Sequence, residues 1–177
     1  MKSDQELIEL ANKGDPEAFE ALYRRYRDWV YRLAWRFTGN RADALDVLQE
    51  TFTYLLGKFP GFELTAAMTT FLYPVVRHVS IRILSKSSRF TSEEQVLDEP
   101  AAPESEETEH YRSELAAVLI VLPDEQREVL LMRFVDDMSL KEIAAALDVP
   151  VGTVKSRLHN ALQALRRDRR TRDYFLD

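Results

Sequence analysis

The side chains best suited to chemistry in this sequence are basic, and they gather near the C-terminal end. Residues 153–172 contain seven lysines and arginines and a single acid, Asp168. A cationic segment of this kind can bind phosphate. In its first part, hydroxyl, amide and imidazole groups accompany the cations, and all of these can reach phosphate oxygens or base edges. The candidate nucleic-acid contacts are Thr153, Lys155, Ser156, Arg157, His159 and Asn160.

The residue types that most enzymes use are missing or scattered. There is no cysteine, which excludes a disulfide framework, a thiolate nucleophile and a thiolate metal site. The histidines, His78, His110 and His159, lie far apart and have no partner at metal-ligand spacing. The five glycines form no phosphate-binding loop, and no Ser/His/Asp motif is present. We therefore predict no catalytic residue, no cofactor and no metal, and a protein that is not an enzyme.

The net charge of −6 is distributed unevenly along the 177 residues. Residues 1–90 carry 13 basic and 11 acidic side chains, and residues 111–177 carry 11 of each. Residues 91–110 carry eight acids, no lysine or arginine and no aromatic residue. Such a segment buries too little apolar surface to offset the entropy cost of ordering it, so we predict a linker between two small domains. The linker is either a passive spacer or an acidic strand that mimics DNA and shields basic surfaces.

The segments on both sides of the linker have helical periodicity, because their apolar residues recur at three and four positions. In the third predicted helix we expect Leu45, Leu48, Phe52, Leu55 and Leu56 to face inward. In the fourth, Pro74 should delay the start of the helix or kink it. The boundaries predicted from capping residues are Asp4, Gly14, Asp15 with Pro16, Gly39 and Asn40. The predicted fold class is all-α, with two small helical domains joined by a flexible acidic linker.

The second domain contains the pattern of a helix-turn-helix. Ser139 and Glu142 fit a capping box at the start of a helix of about two turns. A turn at residues 148–150 follows, and a longer basic helix begins near Gly152. In a helix-turn-helix the first helix braces across the DNA backbone and the second enters the major groove. The pattern also fits an αα-hairpin with a solvated cationic face.

Long stretches of both domains resemble conserved regions of the sigma-70 family. Residues 122–167, LPDEQREVLLMRFVDDMSLKEIAAALDVPVGTVKSRLHNALQALRR, are similar to the fourth region. Residues 14–52, GDPEAFEALYRRYRDWVYRLAWRFTGNRADALDVLQETF, resemble the second region in its short extracytoplasmic-function (ECF) form. The resemblance implies an RNA polymerase sigma factor that directs core polymerase to specific promoters and assists transcription initiation. The alternative is a stand-alone helix-turn-helix regulator, which would bind a palindromic operator without polymerase.

The resemblance also implies roles for individual residues. The second region of the family docks on a coiled coil of the polymerase clamp, and the matching residues here are Asp46, Gln49 and Glu50. From the sequence alone, such carboxylates are as well explained by a solvated helix face. The segment that follows corresponds to the part that opens the minus-ten promoter element, where aromatic rings stack on bases and cations bind phosphates. The candidate minus-ten contacts are Phe62, Phe71, Tyr73, Arg77, Arg82 and Lys86.

The helix-turn-helix residues of the second domain would bind the minus-thirty-five element.

Four positions depart from the family pattern: Phe71 stands where tryptophan is usual, Pro74 interrupts a stretch normally free of proline, His78 replaces an asparagine, and Asn160 replaces an arginine. The domains implied are residues 1–90 and 111–177, joined by the linker 91–110.

The resemblance implies bacterial core RNA polymerase, promoter DNA and an anti-sigma factor as partners.

No stretch approaches the roughly 18 apolar residues that a membrane span requires, and the N-terminus lacks the features of a signal peptide. We therefore expect a cytoplasmic protein without membrane insertion.

Overall fold

A computed structural model describes residues 2–90, 119–169 and 171. The chain divides between Glu99 and Pro100 into two compact units, which we call the N-terminal and C-terminal units. All regular secondary structure in the described ranges is helical, which confirms the predicted all-α class. The predicted linker, residues 91–110, lies outside the described residues, as does His110.

Four helices form the described part of the N-terminal unit: α1 (Asp4–Asn12), α2 (Pro16–Thr38), α3 (Arg41–Leu56) and α4 (Met68–Phe90). Most of their boundaries lie where the capping residues predict. The Asp15 carboxylate accepts from the first backbone N–H groups of α2, and Gly39 ends that helix in the left-handed conformation, with φ of 73°. The Asn40 side chain accepts from the N–H of Asp43 at 2.8 Å and caps α3.

The prediction that Asp4 caps α1 is wrong. Ser3 is the cap, and it forms a capping box with Glu6. The hydrogen bonds that Ser3 donates to this carboxylate lower the pKa of Glu6 below its usual range. Asp4 instead binds the guanidinium of Arg25 and accepts a hydrogen bond from the Tyr26 hydroxyl. It therefore ties α1 to α2.

Helix α4 begins at Met68 and continues through Pro74, so of the two predicted effects of Pro74 the delayed start is wrong and the kink stays a prediction. Proline has no N–H, and the carbonyl of Thr70 therefore lacks the donor that position i+4 normally supplies. The Pro74 ring is exposed, so it does not disturb the packed face of α4.

The apolar faces of the helices form the core of the N-terminal unit. Burying each large aliphatic side chain contributes roughly 1.5–3 kcal/mol, and packing of this core fixes which faces of α3 and α4 remain outside. The fully buried residues include Leu22, Val30, Leu33, Val47, Leu55, Leu72 and Val76. Leu45 and Leu56 are 45% and 53% exposed, so the prediction that they face inward is wrong.

The C-terminal unit contains α5 (Asp124–Phe134), α6 (Leu140–Leu147) and α7 (Val151–Arg167). The capping box of Ser139 and Glu142 is present at the start of α6, as predicted. Asp148 ends α6 in the left-handed conformation, with φ of 53°, and α7 begins after Pro150. Short helix, tight turn and longer helix follow one another as in a helix-turn-helix. The core residues shared by these helices include Val129, Met132, Ile143, Val154 and Ala161.

Arg127 anchors the chain that leads into α5. Its guanidinium donates to the carbonyl oxygens of Leu119 and Leu122, both at 2.8 Å, and to that of Ile120 at 3.2 Å. One planar side chain thus satisfies several acceptors of the preceding segment.

Candidate nucleic-acid interface

Four of the six residues predicted on α7 share one exposed strip. Lys155, Ser156, His159 and Asn160 are exposed, and we call them the α7 strip. The buried residues Val154, Ala161 and Leu165 recur at helical spacing and lie on the other side of the helix. The core therefore orients the α7 strip toward solvent.

Short contacts within α7 hold two of these side chains. The Ser156 hydroxyl donates to the carbonyl of Thr153 at 2.9 Å, and a ring nitrogen of His159 lies 3.2 Å from the Gln163 amide nitrogen. Thr153 itself is half-buried in the first turn. These contacts lie on the outer surface of the helix, where a nucleic acid would meet its donors first.

Arg157 does not belong to the α7 strip. Three residues after Val154 and four before Ala161, it flanks the buried face of α7. Its side chain is only 21% exposed, and its Nη2 lies 2.6 Å from Oε2 of Glu125 at the start of α5. The structure thus places one predicted nucleic-acid contact in an ion pair with another helix. Glu125 was not among the predicted residues, because no short spacing links it to Arg157.

The residues predicted on α3 divide in a similar way. Asp46 and Gln49 are exposed, and the exposed Leu45 and Leu56 lie along the same side of the helix as Gln49. We call these four residues the α3 surface. Glu50 differs, because its carboxylate forms an ion pair with Arg82 of α4.

The aromatic residues predicted as base contacts are largely core residues. Phe62 is 7% exposed and Tyr73 is 1% exposed. The Phe62 ring lies 4.8 Å from that of Phe71, and the Tyr73 ring lies 6.1 Å from that of Phe37, measured between centroids. Phe71 is half-buried and stacks beside Tyr54. Only Phe71 of the three predicted rings retains appreciable exposure.

The predicted cations of α4 all reach the surface. Arg77, Arg82 and Lys86 are exposed, together with His78 and Ile81 between them. We call these five residues the α4 surface. Through the pair of Arg82 with Glu50, it adjoins α3.

Asn12 holds the loop between α3 and α4. Its Oδ1 accepts from the N–H of Gly61 at 2.7 Å and from the N–H of Phe62 at 3.0 Å, and its Nδ2 donates to the Phe62 carbonyl at 2.9 Å. The side chain of a distant helix thus fixes the position of Phe62, which packs against Phe71. No local sequence pattern indicates this role of Asn12.

Within the described ranges, no group of three or more histidine, cysteine or acidic residues could hold a metal ion. None of the helices described there is both long and apolar enough to cross a membrane.

Comparison with known proteins defines the class. Residues 22–90 match the profile of sigma-70 region 2, and residues 112–165 match that of sigma-70 region 4. The fold is similar to that of CnrH, solved in complex with the cytosolic domain of CnrY, at a TM-score of 0.68 and 22% identity over 92% of this chain and 94% of that one. It is also similar to that of RpoE from Bartonella quintana, solved with the anti-sigma factor NepR, at a TM-score of 0.63 and 21% identity over 84% and 94% of the two chains.

Curated relatives narrow the class to one family. The ECF RNA polymerase sigma factor SigW of Bacillus subtilis is 30% identical over 92% of this chain and 95% of its own length. The ECF sigma-E factor of Escherichia coli is 31% identical over 92% of each chain. The chain belongs to the ECF sigma factors of the sigma-70 family. Its function is that of a sigma factor, which directs core polymerase to specific promoters and assists initiation, and not that of a stand-alone regulator.

Proposed function

We propose that the two units divide the tasks of this sigma factor between them. Residues 1–90 bind core polymerase and the minus-ten element, residues 111–177 bind the minus-thirty-five element, and residues 91–110 join them. The division of the chain between Glu99 and Pro100 and the separate matches to regions 2 and 4 support this assignment. The observation that carries it is the α7 strip, an exposed row of donors on the second helix of a helix-turn-helix.

In the minus-thirty-five complex, the α7 strip enters the major groove. Lys155 binds phosphate or a guanine edge, and Ser156, His159 and Asn160 present donors and acceptors to base edges. Thr153 lies in the first turn, where the helix N-terminus favours a phosphate. Arg157 was predicted as a sixth contact, but its pair with Glu125 supports a different role.

In the holoenzyme, the α3 surface contacts the polymerase. Asp46 and Gln49 supply polar contacts, and the exposed Leu45 and Leu56 supply apolar area beside them. Exposed apolar side chains next to charged ones are typical of protein interfaces. Glu50 lies at the edge of this interface, where it binds Arg82.

At the minus-ten element, the α4 surface follows the phosphates through Arg77, Arg82 and Lys86. Phe71 stacks on an unpaired base, and such stacking contributes about 1–3 kcal/mol per base. Phe62 acts from the core and packs against Phe71, whereas the buried Tyr73 packs against Phe37.

The protein acts as a cytoplasmic initiation factor without catalytic activity of its own. Its membership of the ECF family supports this proposal. We further propose that an anti-sigma factor binds this chain and covers the α3 surface. The structure of RpoE from Bartonella quintana with the anti-sigma factor NepR supports an inhibitor of this kind. Recovery of polymerase but never of a dedicated inhibitor, in pull-downs from the native host, would argue against it.

Two variants test the division of tasks. Asp46→Ala should weaken assembly with core polymerase, measured by competition with a labelled sigma factor. Lys155→Ala should leave assembly intact and weaken promoter binding by the holoenzyme, because it removes a cation from the α7 strip. Lys13→Ala, at an exposed position of the N-terminal unit, is the control for the loss of a lysine. Unchanged promoter binding by Lys155→Ala would refute the minus-thirty-five assignment.

A further inference from the structure

An ion pair between helices restrains the recognition helix of the C-terminal unit. Oε2 of Glu125, in the first turn of α5, lies 2.6 Å from Nη2 of Arg157 on α7. The Arg157 side chain is 21% exposed, whereas that of Glu125 is 69% exposed. The arginine is thus largely enclosed by the protein, and the carboxylate closes over its outer end.

The neighbouring charges leave Glu125 available for this pair. The adjacent acid, Asp124, lies 3.1 Å from Arg127, which also donates to carbonyls of the preceding segment. Both acids lie at the N-terminus of α5, where the helix dipole stabilises negative charge. Asp124 thus pairs within its own helix, whereas Glu125 pairs with α7.

The position of Arg157 in α7 makes the pair important for recognition. Arg157 follows Ser156 directly and precedes His159 by two residues. A rotation of α7 at Arg157 would therefore displace the whole α7 strip. A recognition helix reads bases through side chains at fixed angles around its axis. An interaction that fixes its rotation therefore affects affinity without touching DNA.

We propose that Glu125 is a positioning residue for minus-thirty-five recognition. Its ion pair with Arg157 fixes the orientation of α7 against α5, and Arg157 acts through this pair and does not bind DNA. The inference rests on the proposed function of the α7 strip. The opposing view is that Arg157 binds DNA and that Glu125 competes with DNA for the guanidinium. The two views predict opposite signs for the loss of Glu125.

The experiment uses the full-length chain assembled with bacterial core polymerase. Binding of a fluorescent promoter duplex is measured by anisotropy over a series of salt concentrations. We expect Glu125→Gln to weaken binding by about fivefold, in line with a partly exposed ion pair. Arg157→Ala should weaken it by a similar factor, and the double variant should be no weaker than either single one, because both remove the same interaction. Exchange of the charges, Glu125→Arg with Arg157→Glu, should recover most of the affinity.

The salt dependence separates positioning from direct binding of DNA. Removal of one phosphate contact reduces the steepness of log K against log salt by about 0.9, so Arg157→Ala should leave the slope unchanged and Lys155→Ala should make it shallower. Tighter binding by Glu125→Gln, a shallower slope for Arg157→Ala, or failure of the charge exchange to recover affinity would each overturn the proposal. If Lys155→Ala changes neither the affinity nor the slope, the assignment of the α7 strip to DNA binding is wrong. The positioning role of Glu125 then loses its basis, and this outcome is distinct from the three that overturn the positioning role itself.

Discussion

Replacement of Asn12 with alanine should destabilise the N-terminal unit by detaching the loop between α3 and α4. The Asn12 amide makes three hydrogen bonds to the backbone of Gly61 and Phe62, at 2.7 to 3.0 Å. The two bonds to Phe62 are partly buried, and the bond to Gly61 is exposed. Water can replace the exposed bond, so most of the cost arises at Phe62.

The size of the effect follows from these bonds. A hydrogen bond contributes about 1 kcal/mol net, and a buried polar group left without a partner costs about 1–3 kcal/mol. We expect Asn12→Ala to lower the free energy of unfolding by about 2–3 kcal/mol. Asn12→Asp keeps the acceptor for the two N–H groups and loses only the donor, so it should cost about half as much.

Tryptophan fluorescence isolates this effect, because both tryptophans, Trp29 and Trp35, lie in α2. Urea unfolding followed by this signal reports on the N-terminal unit. Gln5→Ala, at an exposed position of α1, is the control and should shift the midpoint little. A loss below about 0.5 kcal/mol for Asn12→Ala, the range of ordinary surface substitutions, would refute the proposed role of Asn12.

Two further predictions concern stability. Ser139→Ala removes the capping box of α6 and should cost about 1 kcal/mol, seen as faster hydrogen exchange in α6, whereas Ser139→Asp should retain most of the protection. Burial and the hydrogen bond to Asp4 raise the pKa of Tyr26 in the folded chain. The contribution of the Tyr26 hydroxyl to the free energy of unfolding is therefore complete below the unfolded pKa of about 10, and it is lost as the pH rises beyond that value. Because Tyr26→Phe removes this titrating group, the urea midpoint of the variant should fall less steeply at alkaline pH.

The helix boundaries were predictable because capping is local. Asp15, Gly39, Asn40 and Ser139 act on groups within about four residues, and their roles follow from the sequence. Asp4 was misassigned because its partner, Arg25, lies on another helix. The ion pair between Glu50 and Arg82 and that between Glu125 and Arg157 could not be predicted for the same reason, because each joins two helices.

The candidate site was predictable where one periodic pattern defined it. The apolar residues of α7 mark its buried side. The exposure of Lys155, Ser156 and Asn160 on the other side could therefore be predicted from the sequence. The same spacing could have identified Arg157 as a flanking residue, because it lies three positions from Val154 and four from Ala161.

The sequence could not define two other features, the buried face of α3 and the packing of the aromatic residues near α4. The leucines of α3 lie on one side of the helix, but the buried face is centred on Ala44, Thr51 and Leu55, so Leu45 and Leu56 fall at its edge and remain exposed. Aromatic rings suit both base stacking and a core, and only packing distinguishes Phe62 and Tyr73 from the more exposed Phe71.

Run-off transcription from a fragment library of the host genome, with bacterial core polymerase in the presence and absence of this protein, tests its proposed division of tasks most directly. A sigma factor that uses both units in this way should produce new transcripts that depend on the added protein and share two spaced promoter motifs. Variants of the α7 strip should impair their production. The absence of new transcripts, together with tight binding of a palindromic operator by the protein alone, would refute its action as a sigma factor.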